Sequence, residues 1–287
     1  MRSGIFALAL VQSGCLQQLP VLDDPCAAWD EPGLYSLKIP RPDTKKRIAV
    51  IYVPEGEGPR PMVTMLHGAG QTNDDISQST QWIRNAGHDG AVIVYPQGIL
   101  RTWNGGGCCA FAAEDRRDVD DVGYLEELAR TVKERTCAVE HVVGGFSNGA
   151  MMAHRWGCEG TEVDAILPAA GPLWLTEAAC KGPPVAVRHY HGMADTKVPV
   201  EGGPNPNGRV TYPSAEETMS IWRNRNSCSA DPPEEVVEGD TTCRVWSCEA
   251  PTELCLLQGV GHVWPGGTNR GATEHDATID GFAWFQK

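Results

Sequence analysis

Val142-Val143-Gly144-Gly145-Phe146-Ser147-Asn148-Gly149-Ala150-Met151-Met152 is the stretch on which the fold turns. β-branched valines lead in and a helix-forming Ala/Met segment leads out. Between them stands Gly-x-Ser-x-Gly, the pattern of a strand that turns sharply into a helix. A turn this tight crowds its flanks, so glycine is expected at 145 and 149. Ser147 is then lifted above the edge of a sheet, where a substrate reaches it. An ordinary glycine-rich strand–helix turn is the plainer alternative, and the context favours the raised serine.

Working outward, Leu34-Ile39 and Arg47-Val53 read as a hairpin. Pro61-Leu66, Ala91-Tyr95, His141-Gly144, Ala165-Pro168, Val185-His191, Val245-Ser247 and Leu254-Gln258 read as further strands. Helices are expected over Asp75-Gly87, Asp118-Thr136, Asn148-Gly157 and Ser214-Asn226. In Asp118-Thr136, acidic residues crowd the start and Arg130, Lys133 and Arg135 the end, as the helix dipole prefers. Asp118, Asp120 and Asp121 therefore read as caps rather than as a metal cluster, and no metal is expected. Asp231-Asp240 reads as an exposed acidic loop. Strands alternating with helices predict an α/β chain with a mostly parallel sheet covered on both faces.

A serine hydroxyl is a weak nucleophile without a base beside it. Histidine suits that task near neutral pH. Of eight histidines, His262 lies in a Gly-rich loop after the last strand, where hydrolases that run Ser, acid, His along the chain place their base. The acid should leave a strand that follows the nucleophile helix, and Asp195 does so after Val185-His191. Oxyanion donors are expected from the Asn148 N–H and from the loop His67-Gly68-Ala69-Gly70-Gln71, with Ala69 as the choice. Trp103, Trp264 and His67 are candidate substrate contacts, with core packing as the alternative for each. Met151 and Met152 read as core.

The runs Tyr95-Pro96-Gln97-Gly98, Thr102-Trp103-Asn104-Gly105-Gly106-Gly107-Cys108-Cys109 and Asp118-Val119-Asp120-Asp121-Val122-Gly123 carry a resemblance. Gly145-Met152, His191-Gly192-Met193-Ala194-Asp195 and Gly261-His262-Val263-Trp264-Pro265-Gly266-Gly267 extend it. Together they resemble the polyhydroxybutyrate depolymerase-like and feruloyl esterase-like serine esterases, in order over roughly residues 34–287. The resemblance implies an α/β-hydrolase fold, a Ser147–Asp195–His262 triad, no cofactor, and a small or oligomeric ester substrate. Polyester oligomers, feruloylated or acetylated polysaccharides and simple esters are all within that family's range. The chain ends about 25 residues after His262. No polymer-binding domain like that of extracellular depolymerases is therefore expected, and soluble esters are the expected substrates. A peptidase or thioesterase with the same triad is the alternative within enzymes. A non-catalytic binding protein on this scaffold is the alternative outside them.

Composition bounds these readings. With 41% hydrophobic and 21% charged residues, the chain is globular rather than disordered. A net charge of −13 repels phosphate backbones, so no nucleic-acid partner is expected. No apolar run is long enough to span a bilayer. Arg2, the apolar Gly4-Val11 and small Ser13-Gly14 read as a leader over residues 1–20, followed by one catalytic domain over 21–287. Cys15 after Ser13-Gly14 resembles a lipoprotein anchor site, although Gln12 departs from its pattern. Eleven cysteines without a C-x-x-C pair argue for disulfides in an extracytoplasmic compartment. Cys108 and Cys109 are expected to bond to two different partners. Cys228, Cys243, Cys248 and Cys255 are expected to staple the segment before His262.

Overall fold

The computed structural model describes Trp29 and residues 31–41, 44–56, 58–87, 89–109, 119–269 and 272–287, with 44–46 as backbone alone. The expected leader, Cys15, Cys26, His88 and Asp118 lie outside the described residues. The strands are β1 (Gly33–Arg41), β2 (Thr44–Val53), β3 (Arg60–Leu66), β4 (Val92–Pro96), β5 (Ala138–Phe146), β6 (Ala165–Ala169) and β7 (Ala186–Gly192). A two-residue pair follows, β8 (Gly203–Pro204) and β9 (Thr211–Tyr212), and then β10 (Glu234–Glu238), β11 (Thr241–Trp246) and β12 (Thr252–Leu257). The helices are α1 (Asn73–Thr80), α2 (Asp121–Thr136), α3 (Asn148–Glu159), α4 (Ala215–Arg225) and α5 (Ala277–Phe285).

One ten-stranded sheet runs β1-β2-β4-β3-β5-β6-β7-β12-β11-β10. From β4 to β12 every neighbouring pair is parallel, and the outer pairs are antiparallel. Both faces of the central strands are buried, which is why they read as continuous apolar runs. Met62, Val143, Ile166 and Val187 pack with Leu128 of α2, Trp156 of α3 and Trp222 of α4. Their neighbours Val63, Val142 and Leu167 pack on the opposite face with Ile76 of α1 and Phe282 of α5. This layering puts the C-terminal ends of β3, β5, β7 and β12 along one edge, the edge at which open α/β sheets hold their ligands.

Local chemistry sets the helix ends. The Ser214 hydroxyl accepts from the Glu217 N–H and the Glu217 carboxylate accepts from the Ser214 N–H, a reciprocal cap on α4. Asp120 caps α2 by accepting from the Gly123 N–H at 2.8 Å. Asp121, expected to cap beside it, turns inward instead. It forms a buried ion pair with Arg47 and accepts from the Asn104 N–H at 2.6 Å. Helix α2 thus also tethers the loop after β4.

Three expectations are corrected. Asp231-Asp240 is not all loop: Glu234–Glu238 forms edge strand β10, paired with β11 across the turn at Gly239-Asp240. Its residues are all exposed, and its glutamates guard an open sheet edge. Asp75-Gly87 is not one helix: α1 ends at Gln81 in a left-handed turn (φ 57°), followed by a short π-helical segment, Ile83–Gly87. Cys108 and Cys109 bond to each other, with Cys109 at φ 74° turning the adjacent side chains together. The late cysteines behave as expected, as Cys228–Cys248 and Cys243–Cys255, the latter a directly opposed pair on β11 and β12. Cys158–Cys180 joins the end of α3 to the loop before β7.

Candidate active site

Ser147 stands between β5 and α3 at φ 56°, ψ −118°, a conformation that costs a non-glycine residue backbone strain. The surroundings hold it there. Its N–H donates to the Ala169 carbonyl of β6 at 2.9 Å, and its own carbonyl accepts from the Met151 N–H. The flanking glycines are required by contact. A Cβ on Gly145 would lie 2.2 Å from the Gly149 carbonyl oxygen, and one on Gly149 would lie 2.2 Å from the Leu66 carbonyl oxygen. Gly149→Ala is therefore expected to destabilise the fold by more than about 2 kcal/mol, since backbone rather than a yielding side chain must move. A urea midpoint equal to wild type would show that α3 slides without cost.

Two loops from the same sheet edge converge on this serine. His262 Nε2 lies 2.9 Å from Ser147 Oγ, and His262 Nδ1 lies 2.7 Å from Asp195 Oδ2. The His262 loop closes on β7 because Gly192 has no side chain. A Cβ there would meet the Val260 carbonyl oxygen at 2.3 Å. The Ala194 N–H donates to that same carbonyl at 2.9 Å. Asp195 has a complete set of donors: its Oδ1 accepts from the Lys197 and Val198 N–H groups, each at 2.9 Å. Burial pushes the Asp195 carboxyl up, but the bonds and charge of His262 and the Val198 N–H outweigh it and hold it below the usual range. The Asp195 carboxylate is therefore ionised at neutral pH and accepts from His262 Nδ1–H, which leaves His262 Nε2 facing Ser147 Oγ.

Gly68 packs against the serine from the β3 side: a Cβ there would lie 3.4 Å from Ser147 Cβ. The Gly68 and Gly70 N–H groups are engaged by Gln71 Oε1 and the Arg101 carbonyl. Among the described residues, neither the Ala69 N–H nor the Asn148 N–H has a protein acceptor. The sequence predicts oxyanion donors at these two positions. The Asn148 side chain has a task that sequence reasoning missed. Its Oδ1 accepts from the Trp103 N–H at 2.7 Å and its Nδ2 donates to the Trp103 carbonyl at 3.0 Å. The helix start and the loop after β4 are thereby clamped together.

The three expected substrate contacts are corrected. His67 is fully buried and braces the loops. Its Nε2 accepts from the Gly98 N–H at 3.0 Å and its Nδ1 donates to the Gly68 carbonyl at 2.9 Å. Burial pushes its pKa down to about 4, so it stays neutral. Trp103 is buried, and its indole N–H donates to the His67 carbonyl. Trp264 is buried against Trp82, with its N–H on Thr278 Oγ1 of α5, a helix not read from the sequence. Each indole N–H finds its partner inside the protein, so neither ring is presented to a ligand. The cavity that does reach Ser147 and His262, of about 560 Å³, is lined by Lys197, Val198, Asn205, Asn207 and Tyr212. Met151, Trp174 and the Cys108–Cys109 pair pack beside Val198 and Tyr212.

The Aspergillus awamori acetyl xylan esterase structure superposes with a TM-score of 0.62 at 14% identity, covering 86% of this chain and 99% of that one. The chain has the α/β-hydrolase fold. Two curated proteins are similar to this chain in sequence. The bifunctional acetylxylan esterase/xylanase XynS20E of Neocallimastix patriciarum is 27% identical over 187 residues, 63% of this chain and 26% of that protein. "Putative esterase NocK" of Nocardia uniformis subsp. tsuyamanensis is 27% identical over 245 residues, 75% of this chain and 68% of that protein. The chain thus spans about a quarter of the length of the first relative and about two thirds of the second. No family model matches it.

Proposed function

We propose that this α/β-hydrolase is a serine carboxylesterase that removes small acyl groups, acetyl foremost, from hydrophilic alcohols such as carbohydrates. The observation that carries the reading is the line Ser147 Oγ–His262–Asp195, at 2.9 and 2.7 Å, opening into a cavity with a polar rim. Lys197, Asn205 and Asn207 on that rim offer hydrogen bonds to sugar hydroxyls. The two sequence relatives, one named for acetylxylan and one for esters generally, support the same choice.

The chemistry follows from the geometry. Ser147 Oγ attacks the ester carbonyl carbon as its proton passes to His262 Nε2. The imidazolium is stabilised by ionised Asp195, and the new oxyanion by the Ala69 and Asn148 N–H groups. The carbon–oxygen bond to the alcohol breaks, and His262 returns the proton to the departing oxygen. Water, deprotonated by His262, then attacks the acyl-serine and releases the carboxylic acid. No cofactor enters these steps. The disulfides support an oxidising, extracytoplasmic site of action.

Acetylated xylo-oligosaccharides, p-nitrophenyl acetate, methyl ferulate, a hydroxybutyrate oligomer and an acetyl anilide provide the test. Acetyl esters should turn over fastest and the anilide not measurably. Faster cleavage of the anilide would favour a peptidase, and faster cleavage of methyl ferulate an aryl-acid esterase.

A further inference from the structure

Behind the acid loop lies a buried file of side chains that the chemistry above does not use. The Trp222 indole Nε1 lies 2.9 Å from His154 Nδ1, and His154 Nε2 lies 3.0 Å from His189 Nδ1. His189 Nε2 lies 3.1 Å from His191 Nδ1, and His191 Nε2 lies 2.8 Å from the Val198 carbonyl oxygen. All four side chains are 2% exposed or less. They come from α3, α4 and β7, where His189 and His191 share one face by the period-two rule.

The two ends give this chain one direction. An indole N–H only donates, and a carbonyl oxygen only accepts. Each neutral imidazole between them must accept on Nδ1 and donate from Nε2. A ring of the other tautomer, or a charged one, would set donor against donor. Burial, which lowers the pKa of all three rings, keeps them neutral.

The last bond falls on Val198, and Val198 is the residue that joins the chain to the site. Its N–H donates to Asp195 Oδ1 at 2.9 Å, its carbonyl accepts from His191, and its side chain lines the cavity with Ser147. His191 Nε2 is 3.7 Å from Asp195 Oδ2, so its proton goes to the carbonyl and leaves that oxygen to His262. Leucine or phenylalanine would fill the same layer of the core, but would leave the Val198 peptide held from one side only.

Resting on the reading of Asp195 as the acid of an esterase, we propose that His191, oriented through His189, His154 and Trp222, is a positioning residue that fixes the acid loop through Val198. The test uses the full chain with ¹⁵N label and two variants. His191→Met keeps the bulk and removes the donor. In His191→Gln the amide nitrogen reaches toward the same carbonyl. Nitrogen shifts at neutral pH should report all three buried rings in the wild type as neutral and protonated on Nε2. A charged ring, or a proton on Nδ1 of any of them, overturns the chain.

His191→Met should lower kcat on p-nitrophenyl acetate about 10- to 100-fold with KM within about twofold, as a misplaced catalytic group does. It should also shift the low-field proton resonance of His262 Nδ1, and His191→Gln should restore most of both. A lowered urea midpoint with kcat and that resonance unchanged makes the histidines plain core and overturns the proposal. If the wild type hydrolyses no ester, the esterase reading falls by itself. The His262 proton in the two variants then still decides whether His191 holds Asp195. Should His191→Met not fold, Trp222→Phe removes the first donor far from the site. Mixed tautomers at His154 with a reduced kcat support the proposal, and unchanged tautomers overturn it.

Discussion

Ser147→Ala is expected to lower kcat/KM on p-nitrophenyl acetate by roughly three orders of magnitude or more, about 4 kcal/mol of transition-state stabilisation. The size follows from what is removed. On the proposed mechanism no acyl-enzyme forms without Oγ, and the proposed oxyanion donors at Ala69 and Asn148 are left to assist water alone. The fold should be indifferent. Alanine carries the same Cβ at the same φ of 56°, so the strained turn is neither relieved nor worsened. His262 Nε2 loses its partner, but a side chain 10% exposed can turn to water. The check is rate and urea midpoint on the same preparations. A residual rate within tenfold of wild type, with the midpoint unchanged, would place the nucleophile elsewhere and bring the binding-protein reading forward.

Acid should unfold the protein well above the range in which carboxylates titrate. His141 and His154 are fully buried and pushed down to about 3, and His67 to about 4, in each case chiefly by burial. Their folded pKa values lie below the unfolded value, so the unfolded chain binds more protons between the two. The stability they contribute is intact above about pH 6.5 and is lost as pH falls through the interval to their folded values. Each such group removes about 1.4 kcal/mol per pH unit there. From pH 6.5 to 5, where that slope is reached only gradually, these three together remove on the order of 5 kcal/mol, a large share of the 5–15 kcal/mol typical of a domain. His189 and His191 act in the same direction, although in one chain with His154 they do not add independently. Urea midpoints at pH 7, 6 and 5 provide the measurement. Equal midpoints at pH 7 and 5 would mean that these rings accept protons without leaving their places.

How much of the site could be read in advance depended on whether its signal was local. Ser147 announces itself because a tight turn leaves its mark within five residues, in Gly145 and Gly149. Asp195 and His262 were legible because each leaves the end of a strand in a short glycine-containing loop. Their glycines, Gly192 among them, are there for close backbone approach. Strand β10 was misread as loop, because its acidic composition masked the Gly239-Asp240 turn that pairs it with β11. Trp264 was misread because what buries it, helix α5, was not recognised.

Order along the chain, apolar period and turn chemistry thus determined by themselves the α/β layering, the raised serine and which loops would meet it, because these are properties of neighbours in sequence. Partnership across the fold could be decided only by the tertiary structure. Trp222 lies 68 residues from His154, and His154 lies 35 from His189. Asp121 lies 74 residues from Arg47. A buried polar group is stable only against the specific donor or acceptor that packing brings to it. No local pattern records which residue that is.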